Sequence, residues 1–154
     1  MTTGVESQRI ALTVNGTRHE LHLDPDRSLL DVLRMELDLT GAKQGCDDGE
    51  CGSCAVLLGQ RSVMSCLLPV SRVGDKPILT IEGLAGTCPS SSEDDAGDLH
   101  PLQQAFVDFG ATQCGFCIPG MIMEAHALIS AKPDPTREDV LNRLSRNLSA
   151  APAT

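Results

Sequence analysis

Seven cysteines stand in this chain, and four of them, Cys46, Cys51, Cys54 and Cys66, fall as C-x4-C-x2-C with a fourth further on. Thiolates are soft metal ligands, and this is the plant-type spacing for a 2Fe-2S cluster. Three sulfurs on one wrapped loop and one from a nearby segment can enclose a rhombic cluster whose sulfurs need backbone N–H donors. Gly45, Gly49 and Gly52 are placed to let such a loop close, because glycine tolerates positive φ and brings amides near the cluster. Four cysteines also satisfy tetrahedral zinc. Zinc sites usually present two separate C-x2-C knuckles, however, and a single glycine-rich loop favours iron–sulfur.

The second group is Cys114 and Cys117 in "QCGFCIPG", just before Pro119 at a helix start. A helix N-terminus favours the thiolate. Taken alone, the pair could be a thioredoxin-like redox couple, half a metal site or two buried cysteines. The redox couple wants a βαβ setting, and here the pattern is helical on both sides. Cys88, immediately before Pro89, reads as a surface cysteine and not as a ligand.

Composition narrows the partners. The chain has 154 residues and a net charge of -9, from 21 acids against 12 Lys and Arg with no basic run, which argues against a phosphate backbone as partner. "MTTGVESQRI" lacks the apolar segment of a signal peptide, and no stretch approaches the roughly 18 apolar residues of a membrane span. The expectation is a soluble, cytoplasmic protein, where thiols stay reduced and cysteines point to metal ligation instead of disulfides. Trp and Tyr are absent and Phe occurs three times, so a large aromatic core or stacking surface is not expected.

The elements that must position these cysteines are legible in outline. "IALTV", Asn15-Gly16 and "TRHELHL" predict a hairpin on a type I′ turn. Ser28 or Asp26 caps a short amphipathic helix over "LLDVLRMEL", with Leu29, Leu30, Leu33 and Leu37 on one face. The cysteine loop from Gly41 to Cys54 follows. "AVLL" and "RSVM" around Gly59-Gln60 predict a second hairpin, and "KPILTIEG" a last strand. Residues 83–98, rich in Gly, Ser, Pro and acids, read as a linker between an α+β unit over residues 1–82 and a helical one over 99–154. Three helices are predicted there: "HPLQQAFVDF" closed by Gly110, "PGMIMEAHALIS" opened by Pro119, and "REDVLNRLSR" capped by Thr136 with Asp139 three residues on. Met121, Ile122 and Met123 read as packing residues, His126 as a packed or surface residue, and Asp47, Asp48 and Glu50 as solvated charges beside the loop.

Four stretches, "LLDVLRMELDLTGAKQGCDDGECGSCAVLL", "ILTIEGLA", "LHPLQQAFVDFGATQCGFCIPGMIM" and "PTREDVLNRLSRNL", resemble the small iron–sulfur subunit of the molybdenum hydroxylases, the family of xanthine dehydrogenase, aldehyde oxidoreductase and carbon monoxide dehydrogenase. The resemblance covers roughly residues 8–148. It implies a β-grasp ferredoxin domain with one 2Fe-2S cluster on Cys46, Cys51, Cys54 and Cys66, then an all-α helical-bundle domain with a second cluster. It also implies a contact of Gln113 with molybdopterin in a large subunit, and a medium subunit carrying FAD. The implied role is electron transfer within a heterotrimeric oxidoreductase, from the molybdopterin centre toward the flavin, with no catalytic residue on this chain. The alternative is a stand-alone one-cluster ferredoxin-like carrier or binding module with a degenerate second site.

One departure bears on the second cluster. The family pattern places a C-R-C segment after Asn147-Leu148 and then a last helix, whereas this sequence reads Ser149, Ala150, Ala151, Pro152, Ala153 and Thr154. The expectation is that Cys114 and Cys117 lack two ligands within this chain and that the helical domain lacks its last helix. A truncated or altered product, a missing cluster, ligands from a partner chain and an oxygen ligand from Ser149 are the explanations, the last the weakest because a hydroxyl substitutes poorly for a thiolate.

Overall fold

A computed structural model describes residues 7–88 and 99–148. The first hairpin forms as the alternation requires: β1 (Gln8–Val14) pairs antiparallel with β2 (Thr17–Leu23). Asn15 and Gly16 carry φ of 50° and 80°, the two positive values of a type I′ turn. Helix α1 (Leu29–Met35) starts at Ser28, whose hydroxyl accepts from the Asp31 amide at 3.1 Å, so Ser28 and not Asp26 is the cap. The helix stops short of Leu37 because Asp38 turns left-handed at φ 55° and Leu39 N–H returns to the Leu33 carbonyl.

After the cysteine loop come β3 (Ala55–Leu58) and β4 (Arg61–Met64), the predicted second hairpin. The last strand is shorter than its sequence suggests. Only β5 (Ile78–Leu79) joins the sheet, and Ile81–Gly83 curl into a 3-10 turn. Thr80 leaves the ladder because its amide is taken by the Asn15 side-chain oxygen at 2.9 Å, while its hydroxyl donates to Glu82 at 2.6 Å. The sheet order is β2-β1-β5-β3-β4, with β1 and β5 parallel and the other neighbours antiparallel.

Strand β3 is covered on both faces. Val56 points into a core with Leu12, Val14, Leu30 and Leu33, on the side of α1. Ala55 and Leu57, on the opposite face by the two-residue period, join Leu84, Ile122, Met123 and Ala127. The second half of the chain therefore packs against the sheet that holds the cysteine loop.

That half contains α2 (Pro101–Asp108), α3 (Ile118–Ala131) and α4 (Arg137–Leu144). α2 opens on a cap the sequence reading did not foresee: His100 Nδ1 accepts from the Leu102 amide at 3.1 Å, and Gln103 returns to the His100 amide. α4 has the predicted Thr136–Asp139 capping box. The segment read as a linker falls mostly on residues 89–98, outside the described residues. Before it, Ala85–Thr87 make a second 3-10 turn after Ile81–Gly83, and Leu84 between the two is buried. Ser149–Thr154 also lie outside the described residues. No helix among those described is long and apolar enough to cross a membrane.

Candidate metal centre

The loop between α1 and β3 has no regular ladder and is shaped by residues with positive φ: Asp47 at 61°, Gly49 at 82° and Gly52 at 70°. A β-carbon on Gly52 would come within 2.9 Å of the Arg146 carbonyl and 2.4 Å of the Asn147 amide nitrogen, so the backbone is pressed against the end of α4. Gly45 has the same requirement toward the site itself, since a β-carbon there would sit 2.7 Å from Cys51 Sγ. The fourth cysteine arrives from the 3-10 turn Ser65–Leu67 directly after β4.

These elements gather the four sulfurs in two pairs. Cys54 Sγ lies 3.3 Å from Cys66 Sγ. That is far beyond a disulfide bond of about 2.05 Å and near the roughly 3.8 Å between two thiolates on one tetrahedral metal with metal–sulfur bonds of about 2.3 Å. In the other pair the Cys51 amide donates to Cys46 Sγ at 3.3 Å. Cys51 and Cys54 are buried, Cys46 and Cys66 half-buried, and no disulfide joins any of the seven cysteines.

Four consecutive carbonyls, those of residues 51 to 54, are held by donors from outside that four-residue segment. They accept from Leu148 N at 3.0 Å, Asn147 Nδ2 at 3.0 Å, Lys43 N at 3.0 Å and Ser65 Oγ at 2.7 Å, respectively. A peptide carbonyl anchored outward turns neighbouring N–H groups inward, the condition for an anion-binding nest. The thiols register this environment. Burial opposes the Cys51 thiolate, yet the Ser53 amide, Cys46 and the Ser53 hydroxyl hold Cys51 below the ordinary thiol range. Burial pushes Cys66 up to about 12, reinforced by Cys54 and by Cys46, against a donated hydrogen bond from the Gly49 amide. One buried sulfur next to another resists a second negative charge unless a cation neutralises both.

The donor set fits a two-iron cluster. Zinc requires four converging thiolates, whereas a 2Fe-2S cluster takes four cysteines shared between two irons. Asp47, Asp48 and Glu50 remain exposed at the rim. The Asp48 carboxyl is held below the usual carboxylate range by the Cys46 thiol and the Glu50 amide.

The second group is open by comparison. Cys114 is exposed, Cys117 is half-buried at the N-cap of α3, and Gly115 between them has φ 81°. Gln113 and Phe116 are exposed beside them. Among the described residues no His, Cys, Asp or Glu joins Cys114 and Cys117 to make a group of three. One turn further along α3, a β-carbon on Gly120 would lie 2.2 Å from the Gly52 carbonyl oxygen, so backbone meets backbone between the helix and the first loop.

The sequence reading missed Gly120, Asn147 and the pair Glu124–Arg143. Glu124 is 1% exposed, with Arg143 Nε 2.5 Å away but not aligned as a hydrogen bond, and Arg143 also donates to Ser62 Oγ at 2.8 Å. The signal was present in "MIMEAHALI": a carboxylate inside an apolar helical run needs a buried partner. Gly120 and Asn147 had no such signal, since their partners lie on a loop about 70 or more residues away in sequence.

Comparison with known proteins agrees with the site. The model of a 2Fe-2S iron–sulfur cluster binding domain matches residues 12–78, and that of a second family, a [2Fe-2S] binding domain, matches residues 80–151. The nicotinate dehydrogenase small FeS subunit of Eubacterium barkeri is 40% identical over 139 residues, covering 90% of this chain and 83% of that one. Aldehyde oxidoreductase of Megalodesulfovibrio gigas is 42% identical, over 144 residues, but this chain spans only 15% of its length. Quinoline 2-oxidoreductase from Pseudomonas putida 86 superposes with a TM-score of 0.83 at 35% identity, over 96% of this chain and 85% of that one. A protein with two 2Fe-2S domains in tandem is an iron–sulfur component of an oxidoreductase. The chain belongs to the electron-transfer iron–sulfur subunits of the molybdenum hydroxylase family.

Proposed function

We propose that this chain carries single electrons from a molybdopterin centre on a large partner subunit toward FAD on a medium partner subunit, within a cytoplasmic complex. In this reading residues 1–82 are a β-grasp ferredoxin domain, 83–98 a linker and 99–154 a helical-bundle domain. Cys46, Cys51, Cys54 and Cys66 hold the first 2Fe-2S cluster, and Gly45, Gly49 and Gly52 shape its loop. Cys114 and Cys117 supply two ligands of a second cluster, and Gln113 meets the pterin.

The observation that carries the reading is the gathering of Cys46, Cys51 and Cys54, on a loop whose carbonyls are tied down by hydrogen bonds, with Cys66 from the turn after β4. A bound cluster supplies one-electron redox chemistry. The residues of this chain provide the rest. Cys51 and Cys54 are buried, and the amides of Gly49, Cys51 and Ser53 donate to the sulfurs of Cys66, Cys46 and Cys51, respectively, which stabilises negative charge there and raises the potential over that of a bare site. Exposed Gln113, Cys114 and Phe116 lie where a partner surface can reach them.

The test is iron per chain together with low-temperature EPR after dithionite reduction, on protein purified with whatever chains accompany it. Two signals with iron for two clusters, and co-purifying larger chains, are expected. A colourless protein with zinc would overturn the cluster assignment. One signal on a chain that purifies alone would favour the stand-alone one-cluster carrier.

A further inference from the structure

The end of α4 is fastened to the first cysteine loop by side chain and by backbone. Asn147 is 7% exposed, and its Nδ2 donates to the Gly52 carbonyl at 3.0 Å, in the middle of the outward-facing carbonyls. The next residue adds a backbone bond, Leu148 N to the Cys51 carbonyl at 3.0 Å. The other end of the side chain is costly: Asn147 Oδ1 is buried and accepts no hydrogen bond from the described residues. A leucine would fill nearly the same volume without that orphan acceptor. The donor end must therefore do something that bulk does not.

The frame behind Asn147 is rigid. Asn147 N–H closes the helix end on the Leu144 carbonyl at 2.9 Å. One turn earlier Arg143 reaches Glu124 on α3 and Ser62 on β4, so the helix is referenced to both the bundle and the sheet. Gly52 is itself left-handed and has no side chain with which to hold its own peptide plane. Its carbonyl accepts from the Ala55 amide at 3.1 Å as well as from Asn147, which fixes the plane from two directions. That peptide plane includes the Ser53 amide, which donates toward the Cys51 sulfur.

We propose that Asn147 is a positioning residue for the first metal centre: by holding the Gly52–Ser53 peptide from the helical half of the chain, it sets the hydrogen bonding to Cys51 sulfur and thereby the redox properties of that centre. The proposal rests on the reading of Cys46, Cys51, Cys54 and Cys66 as cluster ligands. It makes the helical half part of the first site as well as the carrier of the second.

The test compares Asn147→Leu, which keeps bulk and removes the donor, with Asn147→Ala and with Thr136→Ala, which weakens the cap of α4 at its far end. Iron per chain, midpoint potential and EPR g-values are read for the signal that Cys54→Ser abolishes. Both Asn147 variants are expected to lower the potential of that signal and shift its g-values, while Thr136→Ala lowers thermal stability and leaves the signal at its wild-type position. A wild-type potential and spectrum in Asn147→Leu would overturn the proposal, and so would an equal shift in all three variants. Should the Asn147 variants fail to fold, hydrogen exchange on the unaltered full chain decides. Peptides spanning 46–54 and 143–148 are expected to open together with the same protection, and independent opening sinks the idea. Absence of any 2Fe-2S signal in the unaltered protein would instead defeat the ligand assignment, a result distinct from either.

Discussion

The two cysteine groups are similar in spacing, each with a C-x2-C, and opposite in what stands behind them. Around Cys51 and Cys54 every carbonyl from residue 51 to 54 has a donor assigned to it, and those donors come from the preceding loop, from the turn after β4 and from the end of α4. Around Cys114 and Cys117 the structure offers a positive-φ glycine, a helix N-terminus and exposed side chains. The first group is tied to the preceding loop, to the turn after β4 and to the end of α4, whereas the second sits at the start of α3. Two equally spaced thiol pairs differ in burial, so spacing alone does not define a cysteine site's properties.

Substitutions can break this contrast, beginning with the most severe. Cys54→Ser should abolish one of the reduced EPR signals and about half of the iron, whereas Cys117→Ser should leave that same signal unchanged. Metal analysis with EPR checks both, and loss of the same signal in the two variants would mean that the sites are not separate. Next is Arg143→Met, which leaves the fully buried Glu124 carboxylate without its cation and α4 without its tie to β4. Since Arg143 is itself partly exposed, the expected cost is about 2–3 kcal/mol in urea unfolding, below that of a fully buried pair. Gly120→Ala comes third. Alanine favours a helix by about 1 kcal/mol over glycine, yet here its β-carbon would collide with the Gly52 carbonyl oxygen. A net loss of about 1–2 kcal/mol is expected from overpacking, with disturbance of the first-site EPR signal although the substitution lies in the second half. A stabilised protein with an unaltered signal would show that the two regions do not share this wall.

The mildest effect is one of pH. His100 is held below the ordinary imidazole range by burial and by the charge of His126, whose ring centroid is 5.1 Å away. His126 is lowered in the same direction by its own burial. Because folding favours the neutral ring, its contribution is present above the unfolded value of about 6.5 and is lost as pH falls through the lower folded value. Protonation also removes the Nδ1 acceptor that caps α2. Hydrogen exchange corrected for intrinsic rates should show α2 amides losing protection a few-fold from about pH 7 to about pH 5. α1, capped by the non-titrating Ser28, should keep its protection, and parallel loss in both helices would refute the assignment to His100.

Much of the scaffold was legible because its signals are local. Asn15-Gly16 dictates its turn, Ser28 and Thr136 mark helix starts, and C-x4-C-x2-C announces the first site. Legibility failed where a distant side chain intercepts a backbone group. "KPILTIEG" has the pattern of a longer strand, but Asn15, over sixty residues earlier, captures the Thr80 amide and ends the ladder after Leu79. The role of His100 was hidden for a different reason: histidine is outside the usual Ser, Thr, Asp and Asn caps. The assembly of the first site from both halves was hidden because Gly120 and Asn147 are ordinary in their own neighbourhoods and special only where they touch Gly52.

The two-faced burial of β3 also imposes an order on the chain's birth. As the polypeptide leaves the ribosome, Val56 finds its partners at once, since Leu12, Val14, Leu30 and Leu33 have already been made. Ala55 and Leu57 must wait until Met123 and Ala127 have been delivered. Throughout that interval the nascent sheet shows an apolar face beside a set of unmetallated thiols, a state open to chaperones, to oxidants and to metal donors alike. Closure of α3 over the strand covers that apolar face.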